Sequence, residues 1–339
     1  MKKIIFTVIF FLVAITVVYV LETKYGQNKK AEKLTPFTVV LDWTPNTNHT
    51  GMYVALNKGW YKEEGLDVKI LPYASGASPD SLVASNKADV AVSSTEGVVS
   101  SAGAGDAVVS IAAIVQHNTS GFMARKNAGI ESPKDLDSKI YGGWNSSIVA
   151  AILKKIITTD GGKGDYKSVS VDVAGMEAMK TKQIDFLWVF EGWEVIQARQ
   201  QGLDVVYFPS LEYGVPDYYT PVLITGKKQI KENPELIKKF MKATAKGYEY
   251  AMENPKESAQ ILIDTTPKGT FPDTKFILAS QEFLSTKYAD KGKKWGMQDK
   301  KAWEEYPQFM LDADAVLDKN SKPVHELNFD SLYTNEFLQ

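Results

Sequence analysis

The stretch FTVVLDWTPNTNHTGMYVALNKGWYKEEGLDVKILPY, residues 37–73, holds the pattern on which the rest of the chain is built. FTVVLDW (Phe37–Trp43) is a short run of β-branched and aromatic residues, which predicts a buried strand. HTGMYVALNKGWYKEEG (His49–Gly65) has helical period and a glycine stop, and predicts one helix. LDVKILPY alternates apolar and polar positions, as a second strand would. Strand, helix and strand in that order make a βαβ unit, because a parallel partner is reached only through a crossover.

The same alternation continues beyond it. SLVASNK predicts a helix, ADVAVSS (Ala88–Ser94) a strand, TEGVVSSAGAG a helix and AVVSIAAIV (Ala107–Val115) a strand. A second series then begins, with GFMARK, KIYGGW (Lys139–Trp144), SVSVDV, IDFLWVF (Ile184–Phe190) and LDVVYF as strands. SPKDL, SIVAAILKKIITT and segments around Met176 and Val195 read as its helices. YYTPVLITG is a return strand, and everything from Asn233 onward is helical in period. Two such series and a helical tail predict an α/β protein of two lobes, with mostly parallel sheets and a hinge crossed twice. The crossings fall near His117–Gly121 and Tyr219–Gly226. Residues 36–120 with 223–339 are therefore expected to form the first lobe, and 121–222 the second.

Ahead of both lobes, Lys2 and Lys3 precede an uncharged apolar run from Ile4 to Leu21. Its length is that of a short membrane span, and no small-x-small cleavage site follows it. Residues 1–23 are expected to act as an uncleaved signal anchor, the alternative being a cleaved signal peptide. Residues 24–35 read as a polar, lysine-rich tether. Either reading puts the body outside the cytoplasm and gives it a membrane contact through the N-terminal segment.

Composition removes whole classes of chemistry. The 339 residues carry a formal net charge of −2, which leaves no electrostatic footprint for nucleic acid. Cysteine is absent, which excludes disulfides, thiolate catalysis and cysteine-ligated metal or iron–sulfur clusters. His49, His117 and His325 have no metal-ligand spacing, so neither a metal nor another cofactor is expected.

Ligands of open parallel sheets sit beyond the carboxyl ends of the strands, so those ends are the places to look. The first strand ends at Trp43 and runs into a loop carrying Asn46, Asn48 and His49. The third ends in Ser93 and Ser94, hydroxyls that can meet a ligand or cap the next helix, whereas Glu96 suits the charge of the helix start. In the second series Trp144 closes one strand, and another runs into Glu191-Gly192-Trp193-Glu194. Glu191 is expected to face the ligand together with Trp193, with Glu194 structural. Tyr218, before the return strand, suits either packing or the cleft rim. Such a site is aromatic, rich in amides and contains one acid. The two arginines, Arg125 and Arg199, lie outside it, which disfavours an anionic ligand. A flat, neutral or weakly basic heterocycle fits, with tryptophans on its faces and Glu191 accepting from an amino group.

LDWTPNTNHTGMYVALNKGWYKEEGLDV, SSTEG and FEGWE together resemble the family of solute-binding proteins for thiamine pyrimidine precursors, over roughly Pro36 to Pro267. They are similar also to the eukaryotic-type thiamine pyrimidine synthases. KGWYKEEGLDV taken alone also resembles importer proteins for sulfonates, nitrate and riboflavin. The resemblance implies a type II periplasmic-binding fold, a ligand of the formylaminopyrimidine or hydroxymethylpyrimidine type, and delivery to an ABC transporter permease. It places Trp43, Asn46, His49 and Glu191 in the pocket. Family binding proteins from single-membrane bacteria usually carry a lipid-attachment cysteine, and the synthases carry a cysteine-rich motif. This chain has neither, which favours the anchor over a lipid and a binding role over an enzymatic one. An enzyme on the same fold would have to use His49 as its base.

Overall fold

A computed structural model describes residues 33–338, apart from Ser75 and residues 172–174. The expected anchor, and the expected tether up to residue 32, lie outside the described residues. No helix among the described residues is long and apolar enough to cross a membrane.

The strands are β1 (Thr35–Val40), β2 (Leu66–Leu71), β3 (Val90–Ser93), β4 (Val108–Ala113) and β5 (Ser120–Arg125). They continue with β6 (Ile140–Gly143), β7 (Lys167–Ser170), β8 (Phe186–Phe190), β9 (Val205–Pro209) and β10 (Val222–Gly226). They form two sheets, ordered β2-β1-β3-β10-β4 and β7-β6-β8-β5-β9. The second order repeats the first when β6, β7, β8, β5 and β9 replace β1, β2, β3, β10 and β4. The topology is thus duplicated where the sequence shows no long-period repeat.

Both sheets keep a prevailing strand direction with one reversed member. β1 pairs parallel with β3, and β10 runs antiparallel to β3 and β4. β6 pairs parallel with β7 and β8, and β5 runs antiparallel to β8 and β9. The reversed strand is each time the one entered directly from the other sheet. Ser120 opens β5 opposite Phe190, the last residue of β8, and Val222 opens β10 opposite Ser93, the last of β3. A chain arriving at the carboxyl edge can pair only by running back along its neighbours.

The helices are α1 (Thr50–Asn57), α2 (Trp60–Glu63), α3 (Pro79–Ala84), α4 (Thr95–Ala104), α5 (Ser147–Thr159) and α6 (Gly175–Lys180). After them come α7 (Ile196–Gln200), α8 (Lys227–Glu232), α9 (Pro234–Glu253), α10 (Pro255–Thr265), α11 (Thr274–Leu284) and α12 (Lys300–Asp312). The single helix expected over His49–Gly65 is broken at Gly59, whose φ of 77° is left-handed and open to glycine at little cost. The tail is also less helical than its period suggests. After Asp312 it runs back beside β4, where Ser110 N–H donates to the Leu332 carbonyl and Thr334 N–H to that of Ser110, both at 2.8 Å. β4 is an edge strand, and the tail satisfies backbone groups that would otherwise stay unpaired.

Burial explains the helix placements. α5 turns Ile148, Val149, Ile152, Leu153, Ile156 and Ile157 inward, the spacing of one helical face. Around the first sheet Phe37 stacks on Phe240 at 4.8 Å, and Tyr61 also stacks on Phe240, at 5.4 Å. One apolar cluster joins Val98 of α4, Phe122 and Phe186 of the second sheet, and Trp303 and Tyr306 of α12. The C-terminal segment therefore packs against elements of both sheets, and Pro36–Gln339 forms one compact unit.

Candidate functional site

The loop after β1 is held by its own side chains. Asn46 Oδ1 accepts from Asn48 N–H at 2.8 Å, and His49 Nδ1 accepts from Asn46 N–H at 3.1 Å. The ring proton of His49 is thereby placed on Nε2, which donates to Asp42 Oδ1 at 2.8 Å. His49 is fully buried with both nitrogens engaged, so its place is as a brace of the loop. Asn46 is buried as well, whereas Trp43 and Asn48 keep part of their surface exposed. Tyr73, beyond β2, donates its N–H to the Trp43 carbonyl and is 44% exposed. It is an aromatic at a strand end, the same signal that pointed to Trp43, and the sequence reading passed over it.

At β3 the structure separates the roles of the two serines. Ser94 Oγ accepts from Gly97 N–H at 3.1 Å and caps α4. Ser93 Oγ donates to Asp80 at 2.9 Å. Glu96 is the acid of the first turn of α4, as expected, and its buried Oε2 has no hydrogen-bond partner among the described residues. Burial pushes its carboxyl pKa up, against the lowering influence of its own backbone N–H and of the Tyr218, Ser94 and Tyr306 hydroxyls. Tyr218 is buried, stacks on Tyr306 at 3.8 Å, and brings its hydroxyl to 3.5 Å from Ser120 Oγ at the start of β5.

In the second sheet Trp144 stands beyond β6 with 67% of its surface exposed. β8 passes into a π-type turn, Glu191–Val195. Such turns widen the helix and re-aim side chains. Glu194 Oε2 accepts from Phe190 N–H at 2.9 Å and so caps the turn, as expected. Burial raises its pKa to about 7. Glu191 is released from that duty, and its backbone N–H donates to the Thr119 carbonyl at 2.9 Å. Trp193 lies edge-on to Phe276 of α11, with ring centroids 4.6 Å apart. That ring is committed to packing on the C-terminal segment, a contact invisible to local sequence.

The sheet registers bring the two chain crossings together. Phe190 and Ser120 are paired, Ser93 and Val222 are paired, and the Ser120–Tyr218 contact joins the two edges. Trp43, Tyr73, Asn48, Ser93 and Ser94 lie at carboxyl ends of the first sheet, and Trp144 and Glu191 at those of the second. Two shallow surface pockets, about 200 and 250 Å³, share no residue with these ends. Aromatic, amide and acidic groups thus stand at the carboxyl ends of both sheets, the ends at which open α/β sheets take ligands. Among the described residues no group of three or more His, Asp or Glu side chains could hold a metal ion.

Comparison with known proteins shows the family and the fold. Residues 46–258 match the family model described as NMT1/THI5 like. A formylaminopyrimidine-binding protein of Halalkalibacterium halodurans is 31% identical over 279 residues, covering 81% of this chain and 84% of that one. A 4-amino-5-hydroxymethyl-2-methylpyrimidine phosphate synthase of Legionella pneumophila is 25% identical over 245 residues, covering 68% of this chain and 74% of the other. Among solved structures, the ligand-binding component of an ABC-type import system from Staphylococcus aureus superposes with a TM-score of 0.65 at 13% identity. It covers 89% of this chain and 97% of its own.

Proposed function

The chain belongs to the NMT1/THI5-like family, and on that footing we propose that it is an extracytoplasmic solute-binding protein that captures a thiamine pyrimidine precursor for an ABC importer. The observation that carries the reading is that both sheets end in the same kind of groups: Trp43 and Asn48 beyond β1, Trp144 and Glu191 beyond β6 and β8. Residues 36–120 with 223–339 form one lobe of the clamp and 121–222 the other. The ligand docks on one lobe, and closure brings the second lobe's groups onto it. Only the closed state makes both sets of contacts, so ligand stabilises closure.

Trp43 and Trp144 supply faces for the ring, and Glu191 accepts from its amino group. Asn48 answers its remaining donors and acceptors, and the hydroxyls of Ser93 and Ser94, whose protons go to Asp80 and Glu96, offer it acceptors only. Asn46, His49, Trp193 and Tyr218 hold these groups in place through the contacts described above. The N-terminal segment tethers the protein to the membrane, and a permease reads the surface spanning both lobes. Titration calorimetry with formylaminopyrimidine, hydroxymethylpyrimidine, thiamine, riboflavin and an alkanesulfonate tests the reading. Tight binding of an aminopyrimidine alone supports it; tight binding of riboflavin or the sulfonate keeps the clamp and replaces the ligand.

A second reading, synthesis of the pyrimidine, is raised by the similarity to a synthase. It requires a free base near the ring. His49 has both nitrogens engaged within its loop, which supports binding over catalysis. Chemical turnover of the bound pyrimidine would reverse that preference.

A further inference from the structure

We propose that Ser280, on α11, is a positioning residue of this clamp: its hydroxyl latches the Glu191–Val195 turn of the second sheet to the Asn46–His49 loop of the first. The inference rests on the clamp reading and concerns residues that need not touch the ligand. Ser280 is fully buried. Its Oγ lies 2.6 Å from Thr47 Oγ1 and 2.5 Å from the Gly192 carbonyl oxygen. A carbonyl can only accept, so Ser280 gives its single proton to Gly192 and receives one from Thr47. Removing that hydroxyl leaves a buried donor at one end and a buried acceptor at the other.

The two ends are held unequally. α11 is tied to the first sheet's loop by Thr50 Oγ1 donating to Gln281 Oε1 at 2.5 Å. The Tyr288 hydroxyl, just beyond the helix, adds a bond to the Thr47 carbonyl at 2.5 Å. Toward the second sheet it offers the Ser280–Gly192 bond, the Phe276–Trp193 contact and apolar packing against Ile196 of α7, with no second side-chain hydrogen bond among the described residues. The turn seats closely, since a Cβ on Gly192 would stand 3.0 Å from Leu284 Cγ and Phe283 Cδ1. Opening therefore breaks the Gly192 side while α11 stays with the first sheet. Glu191 adjoins Gly192, so the seat of that carbonyl sets where the Glu191 carboxylate stands. α11 lies beyond residues 46–258, outside the part that matches the family model.

The test uses full-length wild type, Ser280→Ala and Gly192→Ala. The chain has no cysteine, so Lys154→Cys with Lys239→Cys gives one unique pair for spin labels, one label on α5 and one on α9. Without ligand, both variants are expected to shift the label distances to longer values. With formylaminopyrimidine as probe and tryptophan fluorescence as readout, koff is expected to rise about three- to tenfold, the worth of one buried hydrogen bond, with kon unchanged. Unchanged distances and an unchanged koff in both variants overturn the latch, even if their thermal midpoints fall. If wild type does not bind the probe, the ligand assignment fails, and the distance measurement alone decides the latch.

Discussion

His117 Nδ1 lies 2.5 Å from Asp217 Oδ2, joining the two places where the chain passes between the sheets. His117 stands between β4 and β5, Asp217 between β9 and β10. The other ring nitrogen is 3.1 Å from Asp290 Oδ1, in the segment after α11. Asp217 also accepts from Asn118 N–H at 3.0 Å. One imidazole thus clips both crossings to the C-terminal segment.

Partial burial lowers the pKa of His117, but the hydrogen bonds and charges of Asp217 and Asp290 outweigh it, and the net shift is upward. A group whose folded pKa is raised stabilises fully below its unfolded value, about 6.5. That contribution is lost as pH rises through the folded pKa. Thermal midpoints of wild type and His117→Gln are expected to differ most near pH 6 and to converge above the folded pKa. The imidazole is 53% exposed, so solvent screening keeps the difference to a few degrees at most. A pH-independent gap between the two midpoint curves rules the clip out.

Trp43→Ala and Glu191→Gln are each expected to weaken aminopyrimidine binding while leaving the fold intact. An aromatic stack contributes about 0.5–1.5 kcal/mol beyond area burial. A hydrogen bond to a charged group contributes about 1.5–3 kcal/mol. Losses of about tenfold for the first variant and tenfold to a hundredfold for the second follow. Calorimetry read beside circular dichroism checks both, and unaltered affinity in both variants takes these residues out of the site.

Glu194 gives a second pH signature, of opposite origin. Burial raises its pKa to about 7, so the folded state holds the proton more tightly than the unfolded chain, near 4.3. Stability linked to this group is greatest below the unfolded value and declines between pH 4 and 7. Glu194→Gln keeps an oxygen for Phe190 N–H and removes the charge. It is expected to match wild type near pH 4 and to be more stable by about 1–3 kcal/mol at pH 8. Denaturation midpoints at the two pH values decide it, and a Gln variant weaker at pH 8 contradicts the assignment.

Trp295 fastens the C-terminal segment to the first sheet. It is buried, stacks on Tyr248 at 4.1 Å, and donates Nε1–H to the Ile114 carbonyl at 3.1 Å. Trp295→Ala opens a cavity and leaves that carbonyl unpaired, at a cost of about 3–5 kcal/mol. Urea unfolding is the direct measurement; a loss below about 1 kcal/mol means that the segment is held chiefly elsewhere.

Much of the architecture was legible in the residues themselves. Alternating apolar runs and helical faces mark strands and helices because each element buries one side, and that periodicity is local. The helix over SIVAAILKKIITT is found at Ser147–Thr159, and β8 closes the IDFLWVF run at Phe190. β6 and β8 end one residue before Trp144 and Glu191, close to the expected ends, whereas β1 ends at Val40, three residues short of the expected Trp43. Harder to read were the roles of polar groups whose partners are close in sequence but compete for one bond. Ser94 but not Ser93 caps α4, and His49 turns into its own loop.

By itself the sequence determined that this is a cysteine-free α/β chain with two strand–helix series and polar, aromatic strand ends. Composition and period depend on neighbours within a few residues, and need no knowledge of the fold. Only the tertiary structure decided which of those ends are held together. Ser280 lies 233 residues from Thr47 and 88 from Gly192, and Asp217 is 100 residues from His117. A hydrogen bond acts over about 3 Å of space whatever the separation along the chain. Its partners are therefore chosen by packing of the whole molecule, which no local pattern records.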